Sequence, residues 1–265
     1  MIPSEASPTA EVVSSARIGL ARGLAWLCAL IALVPLFGLI DLGTVFGLSD
    51  PQYLWSMSLE ASWGSLFTFI VGGSFGWIGA LPGKPWPGLL LLGLVILGLL
   101  VASAVFADEG PLWVAGGLAV AMLTMYLLLR PRGPFVAAAW PRSAASVAIA
   151  CGLPLWLGYA WNTYLAAAAV SHSPEDGTLN IDHWPVQAAL GLTLAFGSAV
   201  LSVWTRELVL WRWTFALTAV FVAYATLAYP DREGAMPHVL WGLCIAVWGV
   251  LVVSLPPWPG RSPSA

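Results

Sequence analysis

The chain has 265 residues, 59% of them hydrophobic and 9% charged, with a formal net charge of −3. A soluble domain is about a quarter charged, so water is not the main solvent of this one. Its ten basic residues stand singly or in pairs, which leaves no electrostatic footprint for nucleic acid and excludes that class of partner.

Residues 1–17 carry Ser, Pro and Glu without apolar periodicity and predict a disordered cytoplasmic tail. A bilayer core about 30 Å thick takes roughly 20 apolar residues per helix. Segments of that kind fall at about 23–43, 61–81, 86–106, 112–130, 144–166, 186–205, 213–230 and 238–258. They predict an all-α, polytopic transmembrane bundle of eight spans occupying residues 18–258 as one domain, with a short cytoplasmic tail at 259–265. The first apolar run continues to about Gly43 without a clear small-residue cleavage site, so the first span is expected to remain in the mature protein.

Breaks lie where Pro and Gly stop helices: Ser49-Asp50-Pro51, Pro82-Gly83-Lys84-Pro85, Asp108-Glu109-Gly110-Pro111, Pro131-Arg132-Gly133-Pro134 and Pro230-Asp231-Arg232-Glu233-Gly234. The segment beginning at Trp213 is the shortest, which makes seven spans the competing count. Basic residues favour the cytoplasmic side of short loops. With the N-terminus inside, Arg17, Arg22, Lys84, Arg130, Arg132, Arg142, Arg206, Arg212 and Arg261 are cytoplasmic, leaving only Arg232 outside. Asp41, Asp50, Glu60, Asp108, Glu109, Glu175, Asp176, Asp182, Asp231 and Glu233 fall outside, against three acids inside. Dropping a middle span would scramble that segregation, so eight spans with both termini inside is preferred. Arginine's near-exclusive use over lysine points by association to a GC-rich bacterial genome, hence to a bacterial inner membrane.

Many of the 16 tryptophans fall near predicted span ends, among them Trp55, Trp86, Trp113, Trp140, Trp184, Trp204, Trp211, Trp213 and Trp258. They read as headgroup-level anchors. Helix packing is expected through Gly72 and Gly76 in the second span and Gly191, Ala195 and Ala199 in the sixth, because small residues let backbones approach in lipid. Pro35 and Pro154 lie inside the first and fifth spans and predict bent helices. Their similar neighbourhoods, Pro35-Leu36-Phe37-Gly38 and Pro154-Leu155-Trp156-Leu157-Gly158, raise the idea of a 4+4 parallel repeat.

No ionisable residue falls at mid-membrane, which argues against a proton pump built on a buried carboxylate. The candidate polar site is external and comprises Asp41, Glu60, Asp182, His183, Gln187 and His238. His172, His183 and His238 all map outside and are weak metal candidates, since imidazole with carboxylate binds divalent cations but these spacings match no short motif. The bland alternatives are interfacial histidines and an Asp182 that caps the sixth span ahead of Pro185. Cys28, Cys151 and Cys244 sit in separate apolar segments, suggesting neither disulfide nor thiolate metal site.

The sequence names no cofactor. Haem between spans lacks a histidine ligand within the helices, and retinal lacks a desolvated lysine because Lys84 is in a loop. No phosphate-loop motif appears, nor GxSxG, HExxH or a Ser/His/Asp set in a recognisable context; the GxSxG pattern spelled by Gly72-Gly73-Ser74-Phe75-Gly76 lies within a predicted span. Two readings of function run nearly level. A non-catalytic membrane subunit or accessory protein, with other subunits or a second copy as partners in the bilayer, ranks just ahead of a small-solute transporter or channel with an outward-facing polar vestibule. An external-leaflet or metal-dependent enzyme using Asp182 and His183 stands well behind, so the chain is read as more a non-enzyme than an enzyme.

Overall fold

The structure is a computed structural model that describes residues 14–47, 56–131, 143–170, 183–203 and 209–254. Among these there are helices and turns and no strand. The elements are α1 (Ser15–Leu33), α2 (Gly38–Gly47), α3 (Met57–Ser65), a π-helical segment (Leu66–Gly72), α4 (Gly73–Ala80), α5 (Trp86–Phe106), α6 (Gly110–Leu129), α7 (Ala144–Ala150), α8 (Gly152–Val170), α9 (Trp184–Val203), α10 (Val209–Ala228) and α11 (Val239–Ser254). Among the described residues, Ser15–Phe46, Trp86–Phe106, Gly110–Leu129, Trp184–Val203 and Val209–Ala228 are long and apolar enough to cross a membrane, and Val239–Ser254 is a shorter apolar helix. The described residues are thus helical throughout apart from turns, with the long apolar helices of a membrane protein.

Five of the helix starts have a local cause. Ser14, Ser56 and Ser143 cap α1, α3 and α7 by accepting the N–H groups of Arg17, Leu59 and Ser146, and prolines occupy the first turns of α5 and α6, where no intrahelical donor is needed. The left-handed residues Ala107 and Arg130 end α5 and α6.

The bundle is organised around one helix. The run α3–π–α4, residues 57–80, touches α1, α2, α5, α9 and α10, and buries Ser58, Glu60, Ser62, Ser65 and Ser74 along with its apolar side chains. Around it the usual soluble pattern is inverted. On α1 the buried positions are Ala21, Ala25, Ala29 and Ala32, while Leu20, Trp26, Leu27 and Leu30 point outward. That is the pattern expected where lipid tails are already as apolar as leucine and close backbone approach drives association.

Both prolines lie at interruptions rather than bends within continuous helices. After Leu33 the chain turns through residues 34–37, with Phe37 at φ 60°, and restarts as α2. Pro35 has no N–H to give and its ring crowds the preceding turn. Pro154 is the third residue of α8, a position where its missing donor is harmless, and the break falls before it at Cys151. The two breaks therefore differ in form. The π segment likewise has no counterpart in α9, an unbroken helix that would match it in a 4+4 repeat.

The glycine contacts redistribute the expected packing positions. A Cβ on Gly191 would lie 3.0 Å from the Trp156 carbonyl and from Ala160 Cβ, and Ala195 is fully buried. Gly72 is buried within the π segment, but Gly76 is only half-buried and would bring a Cβ no nearer than 3.7 Å to Trp26. The tight approaches on the central helix are instead Gly64, 2.8 Å from the Leu42 backbone nitrogen, and Gly79, 2.9 Å from Trp26 Nε1. The tryptophans divide too. Trp113 and Trp213 are exposed as anchors would be, whereas Trp184 and Trp211 are buried, Trp211 donating to the Pro87 carbonyl at 2.8 Å.

Charge separates the two ends of the bundle. At one end, arginines bond the carbonyls that neighbouring helices leave open at their C-termini: Arg17 to Leu127 of α6, Arg22 to Gly79 of α4, and Arg212 to Val252 and Val253 of α11. These carbonyls have no intrahelical donor and lie at the negative pole of the helix dipole. The described acids Asp41, Glu60, Asp108, Glu109, Asp231 and Glu233 belong to the opposite, acidic end, together with Arg232.

Gly64→Ala should lower stability by about 1–3 kcal/mol, because the added methyl meets backbone, whereas Gly76→Ala should be near neutral. Thermal unfolding of the two variants in mild detergent checks this, with a larger drop in Tm for Gly64→Ala.

Candidate functional site: two polar clusters flanking one helix

Asp41 sits in the first turn of α2 and Glu60 in the first turn of α3, and their carboxyl groups are within hydrogen-bonding reach of each other. Glu60 is 9% exposed. Thr44, one turn after Asp41, places Oγ1 3.0 Å from Glu60 Oε2 and 2.6 Å from the Asp41 carbonyl oxygen. A hydroxyl has one proton, so it donates to one of these at a time. The approach of α2 that makes this trio possible rests on Gly64, one turn beyond Glu60 on the same helix face.

The opposite face of α3 carries the second cluster. Ser62 Oγ lies 2.7 Å from the Tyr159 hydroxyl of α8, Gln187 Nε2 of α9 donates to that hydroxyl at 3.0 Å, and the hydroxyl reaches the Ser58 carbonyl at 3.4 Å. Gln187 Nε2 also reaches the Gly234 carbonyl in the α10–α11 turn at 3.2 Å. Gly234 has φ 72°, and a Cβ there would fall 2.5 Å from the Trp184 ring, so the turn needs a glycine. The same turn is pinned by Asn162 Nδ2 donating to the Ala235 carbonyl at 3.1 Å and by Ser56 Oγ donating to the Glu233 carbonyl. Tyr159 thus joins α3, α8, α9 and, through Gln187, the last turn.

Polar atoms near this hub lack protein partners. Ser58 Oγ, Ser65 Oγ, Trp156 Nε1 and Gln187 Oε1 are buried without a hydrogen bond. Ser58, Ser62 and Ser65 share one helix face, and Trp156 stands edge-on to Tyr159 at 5.6 Å. Buried polar groups are nearly always satisfied, so several left over around one tyrosine set this region apart from the apolar packing about it.

The sequence-predicted residues distribute as follows. Asp41 and Glu60 come together. Gln187 joins the Tyr159 hub on the other flank of α3. His183 holds the N-cap position of α9, its carbonyl accepting from Val186 and Gln187, and its ring stands edge-on to Trp63 at 4.7 Å. Trp63 in turn donates to the Leu36 carbonyl inside the α1–α2 break at 2.8 Å. His238 is exposed ahead of α11. Asp182 and His172 lie outside the described residues. No group of three or more His, Cys, Asp or Glu side chains that could hold a metal is present among the described residues.

Tyr159, Ser58, Ser62, Ser65 and Thr44 went unmarked in the sequence. The serines at spacings of four and three, running from Ser58 just ahead of the second span to Ser62 and Ser65 inside it, are a visible signal, a polar stripe leading into an apolar helix. Tyr159 had none, since one tyrosine in an apolar span reads as packing.

No protein-family model, no curated protein and no solved structure matches this chain.

Tyr159→Phe removes the shared partner of Ser62 and Gln187 while keeping the ring, and should cost about 1–3 kcal/mol through the buried groups it strands. Tyr164→Phe, whose ring packs on Phe106 and Trp161, should cost much less. Thermal unfolding in detergent, run on both variants together, separates them.

Proposed function

We propose that the chain is an eight-pass protein of the bacterial cytoplasmic membrane with both termini inside, and that it binds and passes a small solute through the polar site at its outward, acidic end. The segregation of basic and acidic residues between the two ends supports the topology. So does the back-and-forth course of α1–α2, α3–α4, α5, α6, α7–α8, α9, α10 and α11 between those ends.

The observation that carries the transport reading is the carboxyl pair of buried Glu60 and half-buried Asp41. Ionisable groups in spanning segments are costly and mark ion or solute paths by default. Two carboxyl groups this close are not both ionised cheaply, and a proton, a metal cation or an amine between them relieves the repulsion. Glu60 is buried behind α2, while Asp41 and Thr44 stay half-exposed on its outer side. The unpartnered groups around Tyr159 add hydrogen-bonding capacity on the neighbouring face of the same helix, and the break at residues 34–37 supplies a joint on which α2 can move relative to α1.

A second reading, a membrane subunit or accessory protein, draws on the opposite half of the bundle. There Gly152 faces Trp248 and Gly197 faces Phe215 at close contact, and Phe215 stacks on Trp248 at 6.3 Å. Close packing of rings on glycines suits a protein whose surfaces are its function. Its partners are the lipid bilayer with other membrane subunits or a second copy.

Purified protein in proteoliposomes should exchange at least one monovalent cation or small amine faster than empty liposomes. Glu60→Gln should reduce that rate about tenfold, equivalent to about 1.4 kcal/mol. Rates equal to empty liposomes across cationic and neutral solutes, with a stoichiometric partner recovered after mild solubilisation, would move the assignment to the subunit reading.

A further inference from the structure

Away from the polar site, α1 and α6 enclose a groove of about 450 Å³. Cys28 and Ala32 stand on the α1 wall, Gly117 and Ala121 on the α6 wall, Phe75 of the central helix forms part of the floor, and Trp113 stands at one end. Near the basic end the two helices are clasped together, Arg17 Nη2 donating to the Leu127 carbonyl at 2.6 Å. Beyond that clasp small residues line both walls, and a Cβ built on Gly117 would meet nothing within 4 Å.

The volume falls in the range of about 300–1,000 Å³ occupied by small-molecule sites. Its lining is almost wholly carbon, so water gains no hydrogen bonds by entering. The groove is also continuous with the lipid-facing surface: Trp113 is 80% exposed and Val120 67% exposed on the same helix. Trp113 lies one turn from the α5–α6 connection, at the level where indole meets headgroups. The molecule that reaches such a groove from the side is a lipid tail.

We propose that this groove binds one acyl chain of a bilayer phospholipid, drawn from the leaflet at the acidic end, as a retained ligand of the folded protein. The chain runs between α1 and α6 with its terminal carbons against Phe75 and Val71, and its glycerol end leaves beside Trp113. This contact is made to the same helix that carries Glu60 and Ser62, but it does not depend on solute transport.

Native mass spectrometry of the full chain in mild detergent tests it. Wild type should retain one phospholipid. Gly117→Leu, which fills the groove, should lose it, and Gly116→Leu, one position round on an exposed glycine with no neighbour within 4 Å, should keep it. A phosphatidylcholine with a diazirine on its acyl chain, reconstituted with wild type and activated by light, should place adducts on residues 28–32 and 113–121 in excess of exposed Leu243 and Val247 of α11. This measurement decides if Gly117→Leu does not fold. Wild type free of phospholipid, equal retention by both variants, adducts spread evenly over the lipid-facing helices, or a second copy of the chain in place of the lipid would each overturn the proposal.

Discussion

Hydrocarbon offers no partner to a hydroxyl or a carboxyl group, and this constraint decides where residues 57–80 lie. That stretch carries Ser58, Glu60, Ser62, Ser65, Thr68 and Ser74, and lipid exposure would leave each wanting a hydrogen bond. Placing the run at the centre removes it from lipid, and the arrangement of the other helices follows. α1 shields it with an alanine stripe, α2 comes close because Gly64 has no side chain, and α8 and α9 approach through Tyr159 and Gln187. The bulky apolar side chains those helices do not need inside then face outward, as Leu27 and Leu30 of α1 do.

The apolar runs made the helices legible in the sequence because span length is a property of consecutive residues. The run at 86–106 and the helix Trp86–Phe106 are the same segment, since Pro85 and Pro87 open it and the acidic turn after Ala107 closes it locally. Proline marked both interruptions, yet the depth of each depended on register: Pro35 stands beyond the last turn of α1, Pro154 inside the first turn of α8. The site was half legible. Asp41 and Glu60 stand out as charges beside apolar spans, whereas Tyr159 becomes a hub only because α3, α8 and α9 bring Ser62 and Gln187 to its hydroxyl from 97 residues before it and 28 after it. Trp184 and Trp211 are buried, unlike exposed anchors, for a related reason: nearness to a helix end fixes depth along the bilayer normal but not the side of the helix a ring occupies.

The basic end shows how one set of residues serves two purposes. Arg17, Arg22 and Arg212 belong to the group that sets the expected orientation, and each also closes the C-terminal carbonyls of a neighbouring helix. A guanidinium can do this without a carboxylate beside it, which fits an end where no acid is found among the described residues. The acidic end is held differently, by side-chain bonds to the backbone of the α10–α11 turn.

The π segment at Leu66–Gly72 has a geometric consequence for the central helix. Its wider turn takes one residue more than an α-turn, and each residue of excess shifts the phase of all that follows by about 100° around the axis. The half before it therefore shows its serines to α8 and α9, while the half after it sets Ser74 and Ile78 against Gly88 of α5 and Gly79 against Trp26. The two halves are keyed to different neighbours by a built-in torsional offset. The carboxyl pair and the arginine clasp thus stand at opposite ends of one helix whose two halves present different faces to the bundle.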